Sequence, residues 1–144
     1  MNKYSNILVA IDLYADYDAI IRRALTLAQT SKDVSIIYVS MPSTYIQPYL
    51  YDIPSSIILD EDLLKKAQKK LADIAAEYDI AQDKAFVELG DPADEIQEKA
   101  NQIEADLIVL GTHGRSGIKL LLGSTANAVM HGVKQDVLAV RIQD

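Results

Sequence analysis

Short runs of Ile and Val alternate along this chain with stretches whose apolar residues recur at helical spacing, and few folds accept that alternation. Residues 6–12 (NILVAID), 33–39 (DVSIIYV), 106–110 (DLIVL) and 136–142 (DVLAVRI) are apolar at consecutive positions, the pattern of strands buried on both faces. Residues 84–89 (KAFVEL) alternate more openly, with Ala85, Val87 and Leu89 on one face and Phe86 and Glu88 on the other, and read as a weaker strand. Between these runs Ile20, Ala24, Leu27 and Ala28 share one helical face, and Leu64, Ala67, Leu71, Ile74 and Tyr78 share another. A third helix opens at Asp91-Pro92, where the carboxylate suits the N-cap and the proline fills a position whose amide needs no partner. It turns Ala93, Ile96, Ala100 and Ile103 inward. A fourth is expected to begin near Ser124, to turn Ala126, Val129, Met130 and Val133 inward, and to stop at Gly132. Strand and helix therefore alternate through five strands, and right-handed crossovers make this a doubly wound α/β fold, a parallel sheet with helices on both faces.

The length suits one domain covering residues 1–144. With no cysteine, disulfides, thiolate metal ligands and a cysteine nucleophile are all excluded. No apolar run approaches the roughly 18 residues that a membrane helix requires, and the first residues pass directly into a strand, so neither an export signal nor a membrane partner is expected and the location is read as cytoplasmic. Acidic residues outnumber basic ones by 21 to 14, giving a net charge of −7 that repels a phosphate backbone; nucleic acid is not an expected partner. The long connection at residues 40–59 holds three of the four prolines together with Tyr45, Tyr49 and Tyr51, and reads either as a packing flap or partner surface or as a lid over a ligand. Asp60-Glu61-Asp62 is read as the capping, dipole-matched start of the helix that follows it. No metal-ligand spacing appears, and no metal site is expected.

The glycines are unevenly placed. None of the six precedes Gly90, and four of them, Gly111, Gly114, Gly117 and Gly123, fall where the fourth long strand gives way to the last helix. Ligands of open α/β sheets bind at such strand ends. From Leu107 to Gln135 there is no Asp or Glu, while Arg115, Lys119 and Lys134 are basic. Bare backbone amides, a helix start and the hydroxyls of Ser124 and Thr125 suit a phosphate; a glycine-rich turn with Ser124 only as N-cap is the plainer alternative. The common nucleotide patterns are absent: the segment lacks G-x-x-x-x-G-K-[ST], its glycines at 111, 114 and 117 do not fit G-x-G-x-x-G, and Gly114-Arg115-Ser116-Gly117 misses G-x-S-x-G. No hydrolase triad and no catalytic residue is expected.

Taken in order, Ile7-Leu-Val-Ala-Ile-Asp12, Tyr38-Val39-Ser40, Gly90-Asp91-Pro92, Gly111-Thr-His-Gly114, Arg115-Ser-Gly, Gly123-Ser124 and Asp136-Val-Leu-Ala-Val-Arg141 resemble the universal stress protein family over nearly the whole chain. The resemblance implies a five-stranded sheet in the order 3-2-1-4-5 and, in one branch of the family, ATP or AMP bound across the strand tips with Mg²⁺ carried in by the nucleotide. Another branch binds none. The binding branch carries G-x2-G-x9-G-[ST]; Gly111, Gly114, Gly123 and Ser124 match it except that eight residues separate Gly114 from Gly123. By position, the resemblance places Ala10 and Asp12 beside the adenosine and the backbone of Val39 on the adenine edge. Gly111, His113, Gly114 and Arg115 border the ribose and the first phosphate, and Gly123, Ser124 and Thr125 take the outer phosphates. Asp12 also reads as a satisfied loop carboxylate, and His113 as an ordinary loop histidine. His131, near a helix C-terminus, suits that end of the dipole.

The last strand, from Asp136 to Arg141, is expected at a sheet edge, and family members pair such edges across a two-fold axis, so a homodimer is expected. Three functions follow: a cytoplasmic stress-response regulator that binds an adenine nucleotide; a slow ATPase or phosphotransferase in which Asp12 or His113 assists; and a nucleotide-free interaction module, which the shortened loop favours.

Overall fold

The computed structural model describes residues 4–41, 56–112 and 127–142, with residues 56–60 described by backbone alone. Strands β1 (Ile7–Ala10), β2 (Val34–Ser40), β3 (Ala85–Leu89), β4 (Leu107–Gly111) and β5 (Asp136–Val140) form one parallel sheet in the order β3-β2-β1-β4-β5. Helices α1 (Asp18–Leu27), α2 (Ser56–Glu77) and α3 (Pro92–Gln102) connect them, and residues 127–132 are a fourth helical segment, α4. The doubly wound architecture and the strand order expected from the resemblance are both present.

Alternation along each strand divides the core in two. Ile7 and Val9 pack with Ile20, Ile21 and Ala24 of α1 and with Ala67, Leu71 and Ile74 of α2. Leu8 and Ala10 point the other way, onto Ala93, Ile96 and Ala100 of α3 and Val129 of α4. All four residues of β1 are buried, because helices cover both faces and strands flank both edges. The weaker strand lies at an edge, where Ala85 and Val87 join the first cluster, Phe86 joins the second and Leu89 is exposed.

Asp91 caps α3 as its sequence implies, accepting from the Asp94 amide at 3.1 Å, with Pro92 in the first turn. Other expectations are corrected. Helix α2 begins at Ser56, so the end of the long connection is helical and Asp60-Glu61-Asp62 lies beyond the first turn; Asp62 instead pairs with Lys66 along the helix at 3.6 Å. Residues 42–55 lie outside the description. Met130 is 52% exposed, since Val129 takes the inward position and the next residue is rotated out by about 100°. Gly132 closes α4, but its role is space: a Cβ there would sit 2.4 Å from Gln97 Nε2. His131 is exposed on the last turn, where its sequence position put it, while Ser124 and Ala126 lie outside the description.

Polar ties fasten the sheet's lower end and the two helices on one face. Asp106 accepts from the Ser5 and Asn6 amides at 3.0 Å each, and Tyr4 donates to Asp136 at 2.6 Å. The Tyr78 hydroxyl donates to Asp18, which also receives Arg22 Nε at 2.9 Å, joining α2 to α1. Tyr78 first, and Arg22 second, hold the Asp18 carboxyl below the usual carboxylate range, while burial, then Asp18, raises the Tyr78 phenol.

Two outcomes follow. Because a depressed carboxylate stabilises the fold above its unfolded value and loses that contribution as pH falls toward its folded value, Tyr78→Phe should raise the Asp18 pKa seen by NMR and flatten the acid limb of the stability curve below about pH 4. An unchanged Asp18 titration would refute the tie. Gly111→Ala places a methyl 2.4 Å from Ile142 Cδ1 and 2.8 Å from Ile20 Cδ1. Overpacking of that kind should cost about 1–3 kcal/mol in denaturant unfolding, and a loss below a few tenths would contradict the packing.

Candidate functional site

In an open α/β sheet the crevice forms where the strand order reverses, at the carboxyl ends of the strands on either side of that point. Here the reversal is at β1, flanked by β2 and β4. Ladder pairing of β1 stops at Ala10, opposite Ile37 and Leu110, and the Ile11 amide makes a last bond to Ile37 O at 3.0 Å. Strand β2 runs on to Ser40 and β4 to Gly111, so both neighbours outlast the central strand.

Backbone direction then decides what faces the gap. In a parallel strand, residues two apart point their N–H and C=O groups to the same side. Ile37 bonds toward β1, so Val39 also faces that side, past the end of β1's pairing. The Thr112 amide donates to Val140 O at 2.9 Å, so residues 110 and 112 face β5 and Gly111 faces back toward β1. The peptides of Val39 and Gly111 thus converge on the gap from opposite sides.

Asp12 lies where β1 leaves the sheet and is only 6% exposed. Its carboxylate accepts from the Tyr14 amide at 2.9 Å and its carbonyl from the Ala15 amide at 3.2 Å, which turns the chain sharply away from the crevice. The satisfied-carboxylate reading of Asp12 is therefore part of the truth: it builds the turn that ends β1. Tyr14 itself lies on the surface with Lys70 Nζ 4.9 Å from its ring centre. Ala10 is buried, its side chain in the second core cluster, and Val39 packs partly against the same cluster.

The far wall is fixed by the turn after β3. Gly90 has φ +157°, and its amide donates to Ser40 O at 3.0 Å, tying this turn to the tip of β2 directly after Val39. A Cβ on Gly90 would lie 3.0 Å from Glu95 Oε2. Burial pushes the Glu95 carboxyl above the usual carboxylate range, and Glu98, Glu88 and Asp94 add to this against the opposing pull of Lys99. Lys99 pairs with Glu88 at 3.1 Å over the ring of Phe86.

Of the residues singled out in the sequence, Ala10, Asp12, Val39 and Gly111 are thus gathered round one gap. His113, Gly114, Arg115, Gly123, Ser124 and Thr125 lie outside the described residues. Among the described residues no group of three or more His, Asp or Glu side chains could hold a metal ion, and no helix is long and apolar enough to cross a membrane. Sequence reasoning gave Ser40 no role of its own, although its carbonyl receives the Gly90 amide and ties the turn after β3 to the tip of β2.

Comparison with known proteins agrees with this architecture. The model of the universal stress protein family matches residues 3–141. The universal stress protein A homolog 2 of Coxiella burnetii is 38% identical over 146 aligned positions, covering 99% of each chain. The structure of the universal stress protein UspA from Lactobacillus plantarum covers 98% of this chain and 100% of its own at a TM-score of 0.69 and 27% identity. A universal stress protein solved in complex with cAMP shares the fold at a TM-score of 0.57 and 24% identity, covering 97% of this chain and 98% of that one. A family match over almost the full length, joined to a sheet in the order β3-β2-β1-β4-β5, makes this chain a member of the universal stress protein family.

Proposed function

We propose that the protein binds an adenine nucleotide, ATP or AMP, in the crevice above β1 and acts as a cytoplasmic stress-response regulator whose shape or partners depend on occupancy. The observation that carries this reading is the convergence of the Val39 and Gly111 peptides on the gap left where β1 pairing ends at Ala10. A planar heterocycle with donors and acceptors along its edge is a natural complement to such exposed peptide groups. The cAMP complex of a protein with this fold supports the choice of an adenine nucleotide.

In this reading the Val39 backbone takes the adenine edge, Ala10 gives the floor, and Asp12 holds the turn that opens the mouth while facing the ribose. Gly111 leads out of the sheet into the glycine segment, where His113, Gly114 and Arg115 border the ribose and the first phosphate. Gly123, Ser124 and Thr125 hold the outer phosphates, with Mg²⁺ brought in by those phosphates. A bound nucleotide supplies the negative charge that this acid-free segment accepts.

We also propose that the chain is a homodimer joined through β5 and Arg141. Strand β5 is an edge, Ala139 is exposed along it, Val137 and Leu138 are only partly covered, and Met130 is exposed. Pairing two such edges would cover both the backbone and the apolar side chains.

Nucleotide binding is tested by thermal unfolding with Mg-ATP, ADP and AMP. A ligand at one hundred times its Kd adds about 2.7 kcal/mol to native stability, which raises Tm by roughly 6 °C in a chain of this length. No shift at millimolar concentrations of all three would overturn the proposal. For the dimer, light scattering at micromolar protein should give twice the 15.9 kDa chain mass; a monomer mass would contradict it.

A further inference from the structure

Strand β2 outruns β1, and its tip is held from one side. Pairing with β1 ends at Ile37, whose carbonyl takes the Ile11 amide at 3.0 Å, while Val39 and Ser40 still pair with Glu88 and Leu89 of β3. Among the described residues the last bond on that side is the Gly90 amide donating to Ser40 O at 3.0 Å. The position of this donor is shaped for a residue without a side chain. Gly90 has φ +157°, and an added Cβ would meet Glu95 Oε2 at 3.0 Å and Glu95 Cδ and Cγ at 3.1 Å each. Glu95 is brought there by its own helix: its amide donates to Asp91 O at 2.9 Å in the first turn of α3, which Asp91 also caps. The Glu95 side chain therefore occupies the space that a larger residue at position 90 would need.

The residue before Ser40 is the one whose peptide groups open onto the crevice. The N–H and C=O of Val39 lie on the side of β2 toward β1, past the end of β1's pairing, so they offer one donor and one acceptor side by side. Adenine answers with an acceptor at N1 and a donor at its exocyclic amine; hypoxanthine, with a donor at N1 and an acceptor at O6, reverses both. We propose that Gly90 is a positioning residue for base selectivity: its amide, through Ser40 O, fixes the angle of the Val39 peptide and with it the preference for a 6-amino purine over a 6-oxo purine. This deepens the nucleotide reading above and rests on it. Gly90 touches no ligand; it acts through the backbone of β2, so it contributes to discrimination at the base edge and not to the affinity for sugar or phosphate.

Calorimetric affinities for AMP and IMP, which differ only at that edge, test this in wild type, Gly90→Ala and Gly90→Ala/Glu95→Ala, each with its Tm. Asp106→Asn serves as a destabilised control, since Asp106 ties the Ser5 and Asn6 amides at the opposite end of the sheet. Misaligning one hydrogen bond at the base should lower the preference for AMP over IMP about five-fold in Gly90→Ala. In the double variant the collision is gone but φ still disfavours alanine, so its preference should lie between wild type and the single variant; it decides the matter if the single variant does not fold. Asp106→Asn should lower Tm and leave the preference unchanged. A preference unchanged in both Gly90 variants, or lowered as much by Asp106→Asn, overturns the inference and leaves the nucleotide reading intact. Wild type that binds neither ligand overturns both.

Discussion

The arrangement depends on β1 being held between two longer neighbours. Its four residues are buried on both faces and paired on both edges, yet its pairing stops at Ala10 while β2 reaches Ser40 and β4 reaches Gly111. A central strand that ends early leaves peptide groups of its neighbours on either side of the space beyond it. Asp12 makes the early ending possible, because its carboxylate caps the Tyr14 amide and bends the chain away at once. Burial, register and one side-chain hydrogen bond thus produce the crevice together.

Around that gap the polar ties divide the labour. At the lower end of the sheet Asp106 and the Tyr4–Asp136 pair fasten strand starts, where no ligand is expected. At the upper end the contacts concern placement: Gly90 against Ser40, Asp91 capping α3, and Gln97 against α4. Their lengths and exposure give each a modest contribution to stability. Their value lies in placement: the first two set the start of α3 beside the tip of β2, and the third sets α3 against α4.

Much of this was legible in the sequence, for definite reasons. Strands buried on both faces, such as Ile7-Leu8-Val9-Ala10, leave an unbroken apolar run, and Asp91-Pro92 marks a helix start by chemistry alone. The start of α2 was misread because Asp60-Glu61-Asp62 matches the helix dipole so well, although the helix already runs from Ser56. Met130 was placed inward because four apolar residues near one another look like a face; packing admits Val129 and turns its neighbour out. Gly111 was valued for what it lets a ligand approach, while its missing side chain makes room for Ile142 and Ile20; its peptide, not its Cα, faces the crevice. No sequence pattern reveals which way the Val39 peptide points, because that requires the register with β1.

Amide chemical-shift mapping of isotope-labelled protein titrated with AMP measures the central claim directly. Saturable shifts at Val39, at Ile11 to Leu13 and at Gly111 and Thr112, with Ser5, Asn6 and Asp106 at the opposite end unmoved, are the predicted result. Shifts confined to that opposite end, or none at millimolar AMP, would contradict the account.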